Sequence, residues 1–292
     1  MNIIEDLARE SRLPRLKVFE EHVANGRIVS IIMDGWEAQN KKHITGVCLQ
    51  LGKEWVTHCN DTGNCDENDM HNGIAVAREM ESLIHEIDLQ YTALKCRAIC
   101  TDDAGQYGRA RRILALRYPH YHFVHCFAHQ VNLIVKDVLK KGYGKTVQEA
   151  AAIVSKMNQS SSKWLIRANG EMKKMYGKTM ALLSLIEVRW NSAQQLLASL
   201  LRVKSALISF HTRYCDDEKF LTEFEPLGDT QFWKRVARAE NSMVPLTKAS
   251  FIMQKNETSL AHVFVMYGLM YRSFKADDMY GDTFIHLLEK RF

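Results

Sequence analysis

Residues 27–36 read Arg-Ile-Val-Ser-Ile-Ile-Met-Asp-Gly-Trp, and residues 94–103 read Leu-Lys-Cys-Arg-Ala-Ile-Cys-Thr-Asp-Asp. Each is a short apolar run, rich in small and β-branched side chains, that stops at an aspartate. That is the pattern of a buried strand with an acid at its end. Central strands of a sheet set their ends side by side, so Asp34 and Asp102 can converge although they are far apart in the chain. Paired carboxylates at a sheet edge suit hard cations such as Mg2+ or Mn2+. Two such ions can clamp the attacking and leaving oxygens of a phosphodiester. Asp34-Gly35 and Asp102-Asp103 also suit turns and helix caps, and spacing alone leaves both readings open.

Working outward, residues 43–51 and 54–59 alternate around Gly52-Lys53, as a hairpin does. Residues 74–87 carry a helical apolar stripe, 105–118 read as a helix stopped by Pro119, 121–126 as a strand and 128–139 as a helix. A further helix is read over 3–25, closed by Asn25-Gly26. Beyond Gly144 the spacing is helical only, over 146–157, 161–176, 191–214, 230–253 and 259–274. This order predicts an α/β layer with a mixed sheet over residues 1–145 and an all-helical region over 146–292.

The 292 residues are 46% apolar and 25% charged, an ordinary globular balance. No apolar run reaches the ~18 residues that would cross a bilayer, so no membrane partner is expected. The acidic residues Glu5, Asp6 and Glu10 argue against a signal peptide. Seven cysteines, an odd number spread thinly, argue against a secreted disulfide framework. Charge is uneven. Residues 95–213 hold 20 Lys+Arg against 6 Asp+Glu, a net of +14. Residues 1–94 and 214–292 carry −7 and −2. A central basic excess is the pattern of a polyanion-binding face, although solvated lysine-rich helices give it too. Lys163, Arg167, Lys173 and Lys174, with Lys156 and Lys178, supply much of it and predict a phosphate track. His120, His122, His125, Cys126 and His129 crowd ten residues and raise the question of zinc. No Cys-x-x-Cys pair accompanies them, so packing is favoured over a zinc site.

Several of these stretches carry a family resemblance. Ile31-Ile32-Met33-Asp34-Gly35-Trp36 resembles the first catalytic strand of hAT-superfamily DNA transposases, and Ile99-Cys100-Thr101-Asp102-Asp103-Ala104 their second acidic strand, with Asp103 in place of the usual Asn. Cys126-Phe127-Ala128-His129 resembles the family's Cys-x-x-His helix, and Val188-Arg189-Trp190-Asn191-Ser192 its Arg-Trp motif. Pro245-Leu246-Thr247-Lys248-Ala249-Ser250 also has the family's look. The order agrees over residues 28–290. The resemblance implies a ribonuclease H-like sheet interrupted by a helical insertion, with Asp34 and Asp102 as catalytic metal ligands. It places Cys126 and His129 as active-site support, Arg189 on a DNA phosphate, and Trp190 stacked on a base swung out of the duplex. It further implies a DNA partner, nuclear localisation, Mg2+ or Mn2+ rather than zinc, and homo-oligomers formed through a C-terminal segment that the sequence lacks.

The departures are equally specific. The family's third acid is a Glu on a helix after the insertion. Glu187, Glu225, Glu240 and Glu289 all fall at the wrong point in that order. The resemblance therefore predicts an apparently truncated transposase core, defective in strand transfer. The alternative is a domesticated, non-enzymatic DNA-binding or protein-interaction protein. A third reading is an unrelated ribonuclease H-like nuclease with a third acid from the C-terminal half.

Overall fold

A computed structural model of the chain describes Glu21 and residues 28–37, 43–51, 54–61, 72–90, 95–186, 191–255 and 257–292. The helix read over 3–25, apart from Glu21, and the Arg189-Trp190 pair lie outside the described residues.

The apolar runs pair into one sheet. Strands β1 (Ile28–Glu37), β2 (His43–Leu51) and β3 (Glu54–Asp61) form an antiparallel meander. Helix α1 (Gly73–Gln90) then leads to β4 (Lys95–Thr101), parallel to β1, and α2 (Gly105–Arg117) leads to β5 (His122–His125), parallel to β4. The order across the sheet is β3-β2-β1-β4-β5, with β1 at the centre. The mixed sheet followed by helices is the fold class read from the sequence.

Alternation along the strands sends Ile31, Met33, Val47, Leu49 and Ile99 into one core. There they meet Val76, Ala77, Met80, Leu83 and Ile84 of α1, which fall on a single helical stripe. Tyr107, Ala110 and Leu114 of α2 close the same layer. Asn72 starts α1 as its N-cap, with its Oδ1 accepting from Ile74 N at 2.9 Å and Ala75 N at 3.1 Å.

Strand β1 runs further than its apolar pattern suggests. Asp34 does not end it; pairing with β2 continues to Glu37 opposite His43. Pairing with β4, in contrast, stops at Met33 opposite Thr101. Asp34 is thus the first β1 residue past the parallel ladder, still held by the antiparallel one.

The chain divides into two compact units, Met1–Gln130 and Val131–Phe292. The sequence reading set this boundary at 145/146. The units part earlier because Val131, Ile134, Val135 and Val138 of α3 (Phe127–Val138), and Tyr143, belong to the helical core. A turn of π-helix (Leu139–Tyr143) follows. Then come α4 (Gly144–Gln159), α5 (Trp164–Tyr176), α6 (Ser192–Arg202), α7 (Lys204–Tyr214), α8 (Thr230–Met253), α9 (Leu260–Lys275) and α10 (Gly281–Arg291). The single helix read over 191–214 is two. Val203 leaves the helical region (φ −114, ψ 16) and is fully buried between them. Trp164 meets Phe210, Phe220 and Phe224 edge-on, 5.6 Å from Phe220 and 6.0 Å from each of the other two. Asp229 caps α8, accepting from Gln231 N at 2.8 Å and Phe232 N at 3.0 Å.

Candidate active site

The parallel register fixes the position of the two acids. Met33 pairs with Thr101, so Asp34 and Asp102 follow it side by side, Asp102 just past the end of β4 and Asp34 where β1 leaves the parallel ladder. The Asp34 side chain is open to solvent on one side and desolvated by surrounding protein on the others. Burial pushes its carboxyl above the ordinary range, and the nearby Asp102 charge adds to that; the Gly35 backbone N–H and His129 pull the other way. The acids therefore feel each other, and His129 shares their field.

Asp102 is held by its main chain as much as by its side chain. Its Oδ1 accepts from Ala104 N at 3.1 Å, while Thr101 Oγ1 donates to its carbonyl at 3.0 Å. Arg111, a buried residue of α2, completes the hold. Its Nη1 donates to Thr101 Oγ1 and to the Asp102 carbonyl, and its Nη2 donates to Asp103 Oδ1 at 2.7 Å. One guanidinium thus ties three successive residues at the end of β4. Sequence reading missed Arg111 because it is one of several arginines on a helix with a weak apolar stripe. The Asp-Asp dipeptide was its signal, since an acid pair ending a buried strand calls for a cation.

Gly35 has a reason to lack a side chain. A Cβ there would stand 2.7 Å from the Tyr107 hydroxyl. Tyr107 is buried, and burial pushes its phenol up to about 12, with the charge of Glu79 as the next cause. Asp102 and Asp34 contribute in the same sense, and Thr45 hydrogen-bonds the oxygen. The hydroxyl is therefore neutral and sits beside both acids. Glu79 keeps one buried carboxylate oxygen, Oε1, without a hydrogen-bond partner.

Where β5 ends, the chain turns directly into α3. Cys126 N donates to Thr101 O at 2.7 Å, which extends the β4–β5 ladder by one rung. The Cys126 sulfur receives a hydrogen bond from Cys100, and this pulls its thiol below the ordinary range; the backbone N–H groups of His129 and Ala128 act the same way against burial. Cys100 is pushed up by the same bond and by its own burial. Cys126 and His129, read as support for the acids, thus lie beside Thr101 and within the field of Asp34 respectively. Among the described residues no group of three His, Cys, Asp or Glu side chains is placed to hold a metal ion.

Of the six basic residues read as a phosphate track, four are engaged by acids. Lys163 reaches Asp217 at 3.0 Å and Arg167 reaches it at 2.8 Å. Both cations also lie over the Trp164 ring, at 4.1 and 4.9 Å from its centroid. Lys174 pairs with the buried Glu171 at 2.7 Å and Lys156 with Glu223 at 3.4 Å. Lys173 and Lys178 are exposed. Glu171 is an i,i+3 neighbour of Lys174 on the same helix, whereas Asp217 and Glu223 lie 50 to 67 residues from their partners and could not be assigned from the sequence.

Comparison with curated proteins found no match. Residues 124–239 match the family model described as the ZBED1 RNase-like helical domain. The match begins in β5 and ends in α8. It takes in Cys126, His129 and the Arg189-Trp190 pair, while the strands bearing Asp34 and Asp102 precede it. Over that stretch the chain is similar to an hAT-related helical domain.

Proposed function

We propose that the chain is an hAT-type transposase-like core, a nuclear DNA-binding protein in which Asp34 and Asp102 are the catalytic metal ligands. The observation that carries this reading is their placement, one residue past the Met33–Thr101 pair on adjacent central strands. The donor set fits Mg2+ or Mn2+, because carboxylate oxygens are hard ligands. Burial raises the Asp34 carboxyl first and the Asp102 charge adds to it, and the second is the kind of repulsion a cation relieves. When bound, such a cation supplies Lewis-acid activation of a phosphodiester. The chain's own groups bind and orient. Arg111 fixes the main chain of Asp102, Tyr107 offers a neutral hydroxyl, and His129 adds a polarising group near Asp34. Arg189 and Trp190, with Lys173 and its neighbours, are the proposed DNA contacts.

A titration with Mn2+ tests the reading. At ten times its dissociation constant the ion should stabilise the protein by about 1.4 kcal/mol, a rise of about 2–4 °C in Tm. Asp34→Asn and Asp102→Asn should each abolish that rise. No shift in the unaltered protein would remove the metal reading.

One observation favours the alternative, a domesticated protein-interaction module. Helix α9 buries Val263, Met266, Met270 and Phe274, yet exposes Leu260, Phe264, Val265 and Leu269 as well. Phe264 is 69% exposed. A helix apolar on both faces is out of place at a bare surface.

A further inference from the structure

Helix α9 buries Val263, Met266, Met270 and Phe274 against the helical core. Its opposite face has an order of its own. Ala261, Phe264, Gly268, Tyr271 and Lys275 follow at spacings of three and four in alternation, which sets them in one row along the helix. All five are exposed, Phe264 at 69%. Tyr267, on the flank, is covered by Phe292, with ring centroids 4.1 Å apart. Gly268 stands inside the row. Glycine within a helix is destabilising relative to alanine. The chain's own packing gives no reason for it, since a Cβ at position 268 would meet nothing within 4 Å.

The row is self-complementary when reversed. Set against an antiparallel copy of itself with Phe264 over Gly268, it lays a large ring on bare backbone at two symmetric places. The same register puts Ala261 opposite Tyr271, again small against large. It also brings Lys275, in the last turn, to the end where Glu257 precedes the partner helix, so opposite charges meet. We propose that α9 pairs antiparallel with the α9 of a second copy of this chain, an isologous dimer in which the Phe264 ring of each copy seats on the partner's Gly268. The two-fold axis passes midway between these positions. One helix pair is a small interface, so the dimer is reversible and depends on concentration. The proposal rests on the apolar face that favours an interaction module, and names its partner. It uses neither acid of the sheet edge.

Sedimentation velocity of the whole chain, from low-micromolar to near-millimolar concentration, should show a monomer–dimer equilibrium. Phe264→Glu should raise the dissociation constant about thirtyfold or more, as loss of a central aromatic anchor does. Gly268→Gln fills the notch and should weaken the dimer comparably. It should leave Tm unchanged or higher, because glutamine is the better helix former, so misfolding is excluded as the cause. Glu257→Lys should weaken the dimer about two- to fivefold. Adding Lys275→Glu to that variant should restore it, because each copy then offers the reversed pair. A chain that stays monomeric throughout, leaving the face to an unrelated protein, would overturn the proposal and spare the interaction-module reading. Self-association indifferent to both Phe264→Glu and Gly268→Gln would overturn it too, as would a dimer that the double charge reversal fails to restore.

Discussion

The Tyr107 hydroxyl occupies the space that a side chain at position 35 would need, 2.7 Å from where the Cβ would stand. The Asp-Gly pair is therefore a packing arrangement between β1 and α2, beyond its use as a turn signal. Gly35→Ala should destabilise the protein by about 1–3 kcal/mol, the usual cost of overpacking. Tyr107→Phe removes the obstructing oxygen, so the double variant should recover much of the loss. Urea unfolding of the four proteins checks this; additive effects would show that the two residues do not interfere.

Arg111 should matter more than any single partner it holds. Arg111→Met strips Thr101 Oγ1, the Asp102 carbonyl and Asp103 of a buried donor together. A loss of about 3–5 kcal/mol is expected, in the range for breaking a buried ionic contact. Asp103→Asn, which keeps an acceptor and is partly exposed, should cost about 1 kcal/mol. Equal costs in chemical denaturation would mean that Arg111 does not organise the strand end.

Asp34 predicts a pH-dependent stability of definite sign. Its folded carboxyl is raised above the unfolded value of 3.8 by burial and by Asp102. The folded state thus holds the proton more tightly. That contribution is fully present below pH 3.8 and is lost as the pH rises through the folded value. At neutral pH the charged Asp34 is a burden, so Asp34→Asn should raise Tm there, by less than about 4 °C given its solvent access. Below pH 3.8 the two proteins should melt together. A variant that is less stable at pH 7 would overturn this account.

The ion pairs of α5 make the DNA expectation sharper. Asp217 neutralises both Lys163 and Arg167. Asp217→Asn should free them, tighten binding to duplex DNA at low salt, and steepen the salt dependence by about one or two phosphate contacts. Lys173→Glu should act oppositely. Anisotropy titrations across a salt series would read both. A slope unchanged in both variants would take α5 out of the DNA interface.

Much of the sheet was legible because its cues are local. Runs such as 28–33 and 95–101 are apolar, β-branched and terminated by acids, and α8 lies where its spacing put it. The neighbourhood of Asp34 and Asp102 was read from the ends of their apolar runs, and the parallel register sets both just past its last pair. What stayed hidden depends on long-range pairing. The β2 partner that carries β1 past Asp34 could not be read from β1. Nor could Asp217 be assigned to Lys163 and Arg167, because these contacts are made by tertiary packing. Val203 reads as an ordinary helical position, yet its backbone leaves the helical region there.

The parallel ladder ends at Met33 and Thr101, and both residues are buried, while Asp34 beyond them faces solvent. The fold's stability is thus vested in the residues before the acids. A lineage could forfeit Asp34 by a single base change without unfolding its product, and selection on some other use of the protein would never notice. Retention of this aspartate across related genes would then be a record of chemistry under selection, whereas the strand leading to it would persist in either case.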